Sequence, residues 1–165
     1  MAHDLTPDEI KTRLWAEIDK AHIGMLGLTG AGDHMQPMAA FADKNQNAIW
    51  FYTRKTSDLA RDTGEGHAAM LCLMAKDMEF QACVAGELAE DKDRTKIAEF
   101  WNANVAAWFP EGKDDPELTL LKLTPEDAQV WIARGGPLNY AFQVAKANIT
   151  HTTPDVGGAG AVQFS

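Results

Sequence analysis

Residues 49–59, IWFYTRKTSDL, set the tightest limit on what this chain can become. Four bulky apolar or aromatic residues in a row, Ile49, Trp50, Phe51 and Tyr52, suit a short strand with both faces covered. The run then breaks into a polar turn carrying Thr53, Thr56 and Ser57, with a helix start at Ser57. Hydroxyls and backbone N–H groups at the end of a buried strand can hold a small anionic or planar ligand without burying a charge. The same pattern also suits an ordinary turn from strand to helix.

The rest of the chain extends that strand into a sheet. Apolar runs at 22–28, 35–42, 68–74 and 79–88 read as further strands, joined by short turns through Gly30, Gly32 and Asp33, through 43–46, and through Lys76-Asp77. Strands following one another with short turns predict an antiparallel sheet curled into a barrel. Pro37 marks an edge or bulge in the second run, and Gly86 a bulge or close approach in the last. Upstream, Thr6-Pro7-Asp8-Glu9 is a helix start with a capping box, and Ile10, Leu14 and Ile18 give one apolar face, predicting a helix over 6–20. Downstream, Ile97, Phe100, Trp101, Val105 and Trp108 predict a helix over 91–109, stopped by Pro110. Strands are expected at 118–123 and 130–133, separated by a single helical turn at Thr124-Pro125-Glu126-Asp127. The barrel thus covers 22–133 of one domain spanning 1–165. The tail at 145–165, with Gly157-Gly158-Ala159-Gly160, carries little packing signal and is expected either to move freely or to lie across a partner subunit.

Charge narrows the partners. Twenty-four acidic residues stand against 15 basic ones, a net charge of −9. That balance argues against nucleic acid or an anionic membrane, and any bound phosphate needs local cations or backbone donors. No apolar run approaches the roughly 20 residues that span a bilayer. The first residues lack the basic start and apolar centre of a secretory signal, so a cytoplasmic location is expected. Cys72 and Cys83 lie in separate strand-like runs and read as reduced core thiols rather than a bridge. His3, His22, His34, His67 and His151 are scattered without metal-ligand spacing, so no metal is expected. Nucleophile-elbow, P-loop and dinucleotide-fingerprint motifs do not occur.

Three features fall in order on successive strands: Gln36-Pro37-Met38, then Tyr52-Thr53 with Ser57 four residues on, then Gln81 five residues before Gly86. Together they resemble the FMN-binding split-barrel superfamily that contains pyridoxamine 5'-phosphate oxidase. A longer stretch, Trp108-Phe109-Pro110-Glu111-Gly112-Lys113-Asp114-Asp115-Pro116 followed by Leu120-Leu121-Lys122-Leu123, resembles a signature of the general stress protein branch. Ala145-Lys146-Ala147-Asn148 is similar to the tail of a subgroup of that branch. The resemblance covers about residues 5–131.

What the resemblance implies is a mainly β, α+β fold: a six-stranded antiparallel Greek-key split barrel forming a homodimer, with FMN in a groove at the subunit interface. It assigns cofactor binding to Gln36, Pro37, Met38, Tyr52, Thr53, Ser57, Gln81 and Trp108. Backbone groups around 37–39 and Tyr52 line the flavin ring, and Gln81 bonds its polar edge. Thr53 and Ser57 donate to the ribityl chain or phosphate. A partner's tryptophan, Trp108 or Trp131, covers the ring. Two positions depart from the pattern, which has arginine at Gln36 and lysine at Leu59 as phosphate ligands. Charge-assisted bonds are worth roughly 1.5–3 kcal/mol each, so their loss matters unless Arg54, Lys55 or Arg61 substitutes. The catalytic residue is unknown; Glu79 and His34 are the nearest candidates, and each reads more simply as a solvated charge or a strand-end histidine. The expected function is a flavin-dependent oxidoreductase acting on a small molecule with an electron donor. True pyridoxamine phosphate oxidation is not expected, because no basic C-terminal cluster is present. The alternatives are a non-enzymatic flavin-binding or sensing dimer, and an interaction protein whose groove has decayed.

Overall fold

In the computed structural model, which describes residues 5–164, the first helix starts as its sequence dictates. The Thr6 hydroxyl accepts the Glu9 backbone N–H (3.3 Å), and the Glu9 carboxylate accepts the Thr6 N–H (2.7 Å). Both halves of the capping box satisfy donors that a helix start otherwise leaves unpaired. The helix α1 (Pro7–Ala21) buries Ile10, Leu14 and Ile18. His3 and Ser165 lie outside the described residues.

Then follow β1 (Ile23–Leu28), β2 (Gln36–Ala39), β3 (Phe41–Asp43), β4 (Ala48–Arg54), α2 (Asp58–Thr63), β5 (His67–Met74), β6 (Phe80–Asp91), α3 (Arg94–Glu99), α4 (Ala103–Ala106), a 3-10 turn (Gly112–Asp114), β7 (Leu118–Ala133), α5 (Gly136–Thr150) and β8 (Gly157–Gln163). The strands pair antiparallel in the order β2-β1-β5-β6-β7-β4-β3, with β8 added to β7. Among the described residues this is the expected curled antiparallel sheet with flanking helices, built from eight strands rather than six.

β7 explains how one sheet curls. Its first half pairs with β4 and its second half with β8, while β6 runs along its whole length. The register shifts at Ala85/Gly86, opposite Pro125. A Cβ at Gly86 would lie 2.1 Å from the Thr124 carbonyl oxygen, so only glycine allows the strands to meet at this bend. Residues 124–127 are therefore strand, not the helical turn their Thr-Pro-Glu-Asp pattern suggested.

Three more expectations need correcting. The strand expected over 35–42 is broken at Ala40, whose N–H donates to the His22 carbonyl (2.9 Å). On either side of that break the chain changes partner, β2 pairing with β1 and β3 with β4. The single helix expected over 91–109 is absent. β6 continues to Asp91, and two short helices follow, the second capped by the Asn102 side chain on the backbone of Asn104 and Val105. Ile97 and Val105 still pack inward, but Trp108 is 71% exposed. The tail is not loose either: it forms α5 and β8. A Cβ at Gly157 would sit 1.9 Å from the Ile132 carbonyl, so a glycine that read as flexible instead permits close pairing with β7.

The barrel core gathers Leu26, Ile49, Phe51, Leu71, Phe80, Val84, Leu88, Leu121 and Leu123 with the buried face of α1. A second cluster forms on the far side of β4, where Ala48, Trp50, Leu118 and Leu120 meet Ile97, Val105 and Phe109. Trp50 and Phe51 are thus both buried, on opposite faces, as the apolar run required. No helix among the described residues is long and apolar enough to cross a membrane.

Candidate functional site

Where β4 runs out into α2, the four-residue spacing brings Thr53 and Ser57 together. Thr53 Oγ1 donates to Ser57 Oγ (3.0 Å), which also accepts the Ala60 backbone N–H (3.2 Å) as the cap of α2. With both acceptor directions used, the Ser57 hydroxyl keeps its own proton to donate. Leu59, two residues on, is buried in the barrel core. The neighbouring cations are drawn elsewhere. Arg54 donates to the Trp108 carbonyl (2.8 Å) and lies over the Phe109 ring. Arg61 pairs with Asp58. Lys55 lines a cavity of about 300 Å³ with Lys92, Arg94, Lys113 and the start of β7. None of the eight residues assigned to the cofactor lines that cavity.

Tyr52 faces the other way. Its hydroxyl donates to the Ile97 carbonyl (2.6 Å), and its ring meets Phe41 and Trp101 edge-on. Burial, with Glu99 nearby, pushes the phenol up to about 12. The side chain is a pin between β4 and α3, and its backbone registers with Leu120. Lys96 completes that clamp, donating to Asp43 (2.6 Å) and Glu99 (2.8 Å). The Lys96 hydrogen bond holds the Asp43 carboxyl below its ordinary range, and Asp43, then Glu99, hold the Lys96 ammonium above its own.

Gln81 sits on the outer face of the sheet. Strand alternation turns Phe80, Ala82 and Val84 into the core and Gln81 and Cys83 out. Gln81 lies directly between Met74 on β5 and Trp131 on β7. Its amide N–H donates to the Met78 carbonyl (2.6 Å) in the β5–β6 turn, which fixes the side chain and leaves its amide oxygen without a partner among the described residues. Ile23, Met25, Met74 and Trp131 all stay exposed on or beside this face. Pro37 joins it opposite Met25, whereas Gln36 and Met38 face the barrel and are half-buried. Elsewhere, α5 leaves Leu138, Tyr140, Phe142 and Ile149 exposed and buries only Ala147.

The eight residues therefore fall into separate groups within one protomer: the β2 triplet, the Thr53–Ser57 pair and outward-facing Gln81, with the side chains of Tyr52 and Trp108 on the helix side. Of the two tryptophans, Trp131 is the one beside Gln81. What the sequence reading missed is the outer face itself. Its signal was the period-two row Met70, Cys72, Met74, alternating with buried Ala69, Leu71 and Leu73. Among the described residues no group of three or more His, Cys, Asp or Glu is placed to hold a metal ion.

Comparison with known proteins gives this geometry a family. The family model for pyridoxamine 5'-phosphate oxidase like proteins matches residues 9–155. A general stress protein 26 from Jannaschia sp. CCS1 is 33% identical and superposes with a TM-score of 0.81, covering 95% of this chain and 99% of its own. The general stress FMN/FAD binding protein of Xanthomonas citri is 35% identical with a TM-score of 0.71, over 76% of this chain and 89% of its own. An FMN binding protein from Nostoc punctiforme, at 15% identity, shares the fold with a TM-score of 0.53 over 81% and 89%. A search of curated proteins found no match. The chain belongs to the pyridoxamine 5'-phosphate oxidase-like family and stands with its general stress proteins.

Proposed function

We propose that this protein binds a flavin, FMN foremost, in a groove closed between two copies of the chain, and that it acts as a flavin-dependent oxidoreductase on a small molecule. The observation that carries this reading is Gln81 set between Met74 and Trp131 on an exposed apolar face. An isoalloxazine ring is flat, with apolar surfaces and a hydrogen-bonding edge, so it needs apolar walls and a few placed polar groups. Gln81, anchored through its N–H on Met78, offers its amide oxygen to an imide N–H. The exposed rings and thioethers beside it are surface that water does not favour, and a second copy would cover them. The Ser57 proton and the β2 backbone would serve the ribityl end. Family membership and a relative described as FMN/FAD binding support the same ligand class.

The ring end suits a flavin better than the phosphate end does. Gln36 and Leu59 supply no cation, and Arg54 and Arg61 are engaged elsewhere. A bound flavin supplies the redox chemistry; the chain's own residues bind it, orient it and exclude water. Gln36 and Leu59 at the phosphate-ligand positions favour a second reading, a non-enzymatic flavin carrier or sensor.

The freshly purified protein should be yellow and release flavin on denaturation. In fluorescence titrations, riboflavin and FMN should bind within about tenfold of each other, because the charge-assisted phosphate bonds worth roughly a hundredfold are missing. A colourless protein that quenches none of riboflavin, FMN or FAD overturns the proposal. Oxidation of reduced nicotinamide faster than free flavin supports distinguishes the oxidoreductase from the carrier.

A further inference from the structure

We propose that Cys72 and Cys83 are a dithiol/disulfide couple on the outer face of the sheet, closed by hydrogen peroxide. The two residues are direct partners in the β5–β6 register, and their sulfurs are 3.1 Å apart. Directly opposed residues in an antiparallel pair have Cα atoms about 4.5–5.5 Å apart, inside the roughly 4.4–6.8 Å that disulfides span. Reaching an S–S bond of about 2.05 Å needs the sulfurs to approach by only about 1 Å. Both strands are internal to the sheet, each paired on both sides, so the meeting of the sulfurs is held by the ladder and not by chance.

Both cysteines are half-buried, facing outward. Burial, and then Cys83, push the Cys72 thiol up to about 12. Either sulfur can accept the other's S–H across this contact, so whichever is oxidised first has its resolving thiol already in place. One sulfur attacks the peroxide, the O–O bond breaks, and a sulfenic acid forms with release of water. The other sulfur then displaces that hydroxyl, the S–S bond forms, and a second water carries away the remaining proton. Two thiols and one peroxide give one disulfide and two waters. Both thiols are partly exposed in the chain, and hydrogen peroxide is little larger than water. The couple needs no bound flavin, and failure of the flavin reading leaves it standing.

The test treats the native full-length protein with a few equivalents of hydrogen peroxide, then counts free thiols and maps peptides by mass. The expected result is loss of both thiols, one Cys72–Cys83 peptide within a single chain, and return of both thiols with a dithiol reductant. Cys72→Ser should stop at a sulfenic acid on Cys83 that dimedone captures. Cys83→Ser should likewise stop at a sulfenic acid on Cys72. Two thiols persisting in the wild type, separate sulfinic acids on each sulfur, or a bridge between chains would each overturn the proposal. The two variants, tested for the same circular dichroism as wild type, separate chemistry from misfolding.

Discussion

Leu71 and Cys72 are neighbours on β5 and meet opposite worlds. Leu71 joins Ala69, Leu73, Phe80, Ala82 and Val84 in a face that the barrel closes over by itself. Cys72 joins Met70, Met74, Gln81 and Cys83 in a face the protomer leaves open. Solvated faces of antiparallel sheets ordinarily alternate polar residues outward. β5 carries no Asp, Glu, Lys or Arg on its outward row, while α1 places Asp8, Lys11, Asp19 and Lys20 outward. The difference teaches that openness and polarity are separate properties. The outer face is exposed in one chain yet composed like an interior.

The largest effect should come from charging that face. Met74→Asp would place a carboxylate in the proposed seam, costing several kcal/mol and weakening self-association by a hundredfold or more. Sedimentation velocity across a concentration series reads the outcome. If wild type is monomeric, or Met74→Asp associates as tightly, the two faces do not differ in the way argued. The control is Leu71→Ala on the inner row of the same strand. It should cost about 3 kcal/mol of protomer stability through the cavity it leaves, measured by urea unfolding.

A third experiment asks whether the helix side of β4 is held as firmly as the barrel side. Lys96→Met removes the ammonium between Asp43 and Glu99 and leaves the nearly buried Asp43 carboxylate without its cation. About 2–3 kcal/mol should be lost. The pH dependence has a definite sign. Asp43 is held low, so its contribution is present above its ordinary 3.8 and lost as pH falls through the lower folded value. Lys96 is held high, so its contribution is present below its ordinary 10.5 and lost as pH rises through the higher folded value. The gap between wild type and variant should be full between about pH 4 and pH 10 and narrow in acid.

Much of this was legible in the sequence, where local chemistry and tertiary packing agree. The capping box of α1, the doubly buried run at 49–52, and the bulge at Gly86 follow from residue type and spacing. The misreadings share a cause, that a local signal was overruled by a distant partner. Thr124-Pro125-Glu126-Asp127 looks like a helix start, but β6 lies alongside and pairs it into β7. Gly157 looks like slack, but β7 needs the space its missing side chain leaves. Leu59 could be noted as the wrong residue for a phosphate ligand. That it belongs to the core, so that a lysine there would have to bury its charge or leave, needed the packing of α2. The pairing of Cys72 with Cys83 lay beyond sequence altogether, because register depends on the turn between the strands.

The smallest expected effect is at the end of β4, where Ser57 caps α2. Ser57→Ala removes the α2 cap and the partner of Thr53. Loss of an N-cap costs about 1 kcal/mol, far less than Leu71→Ala, because α2 is short and the barrel holds Leu59 regardless. If Ser57 were only a cap, flavin affinity would follow stability and barely move. If its proton also serves the ribityl end, affinity should fall by about tenfold, the worth of one hydrogen bond in a partly dry groove. Ser57→Thr is the rescue for both roles, since threonine caps nearly as well and keeps the hydroxyl. Restored stability and restored affinity together place Ser57 in the site. Restored stability with affinity unchanged throughout confines it to the fold, and the ribityl end must then be sought along β2.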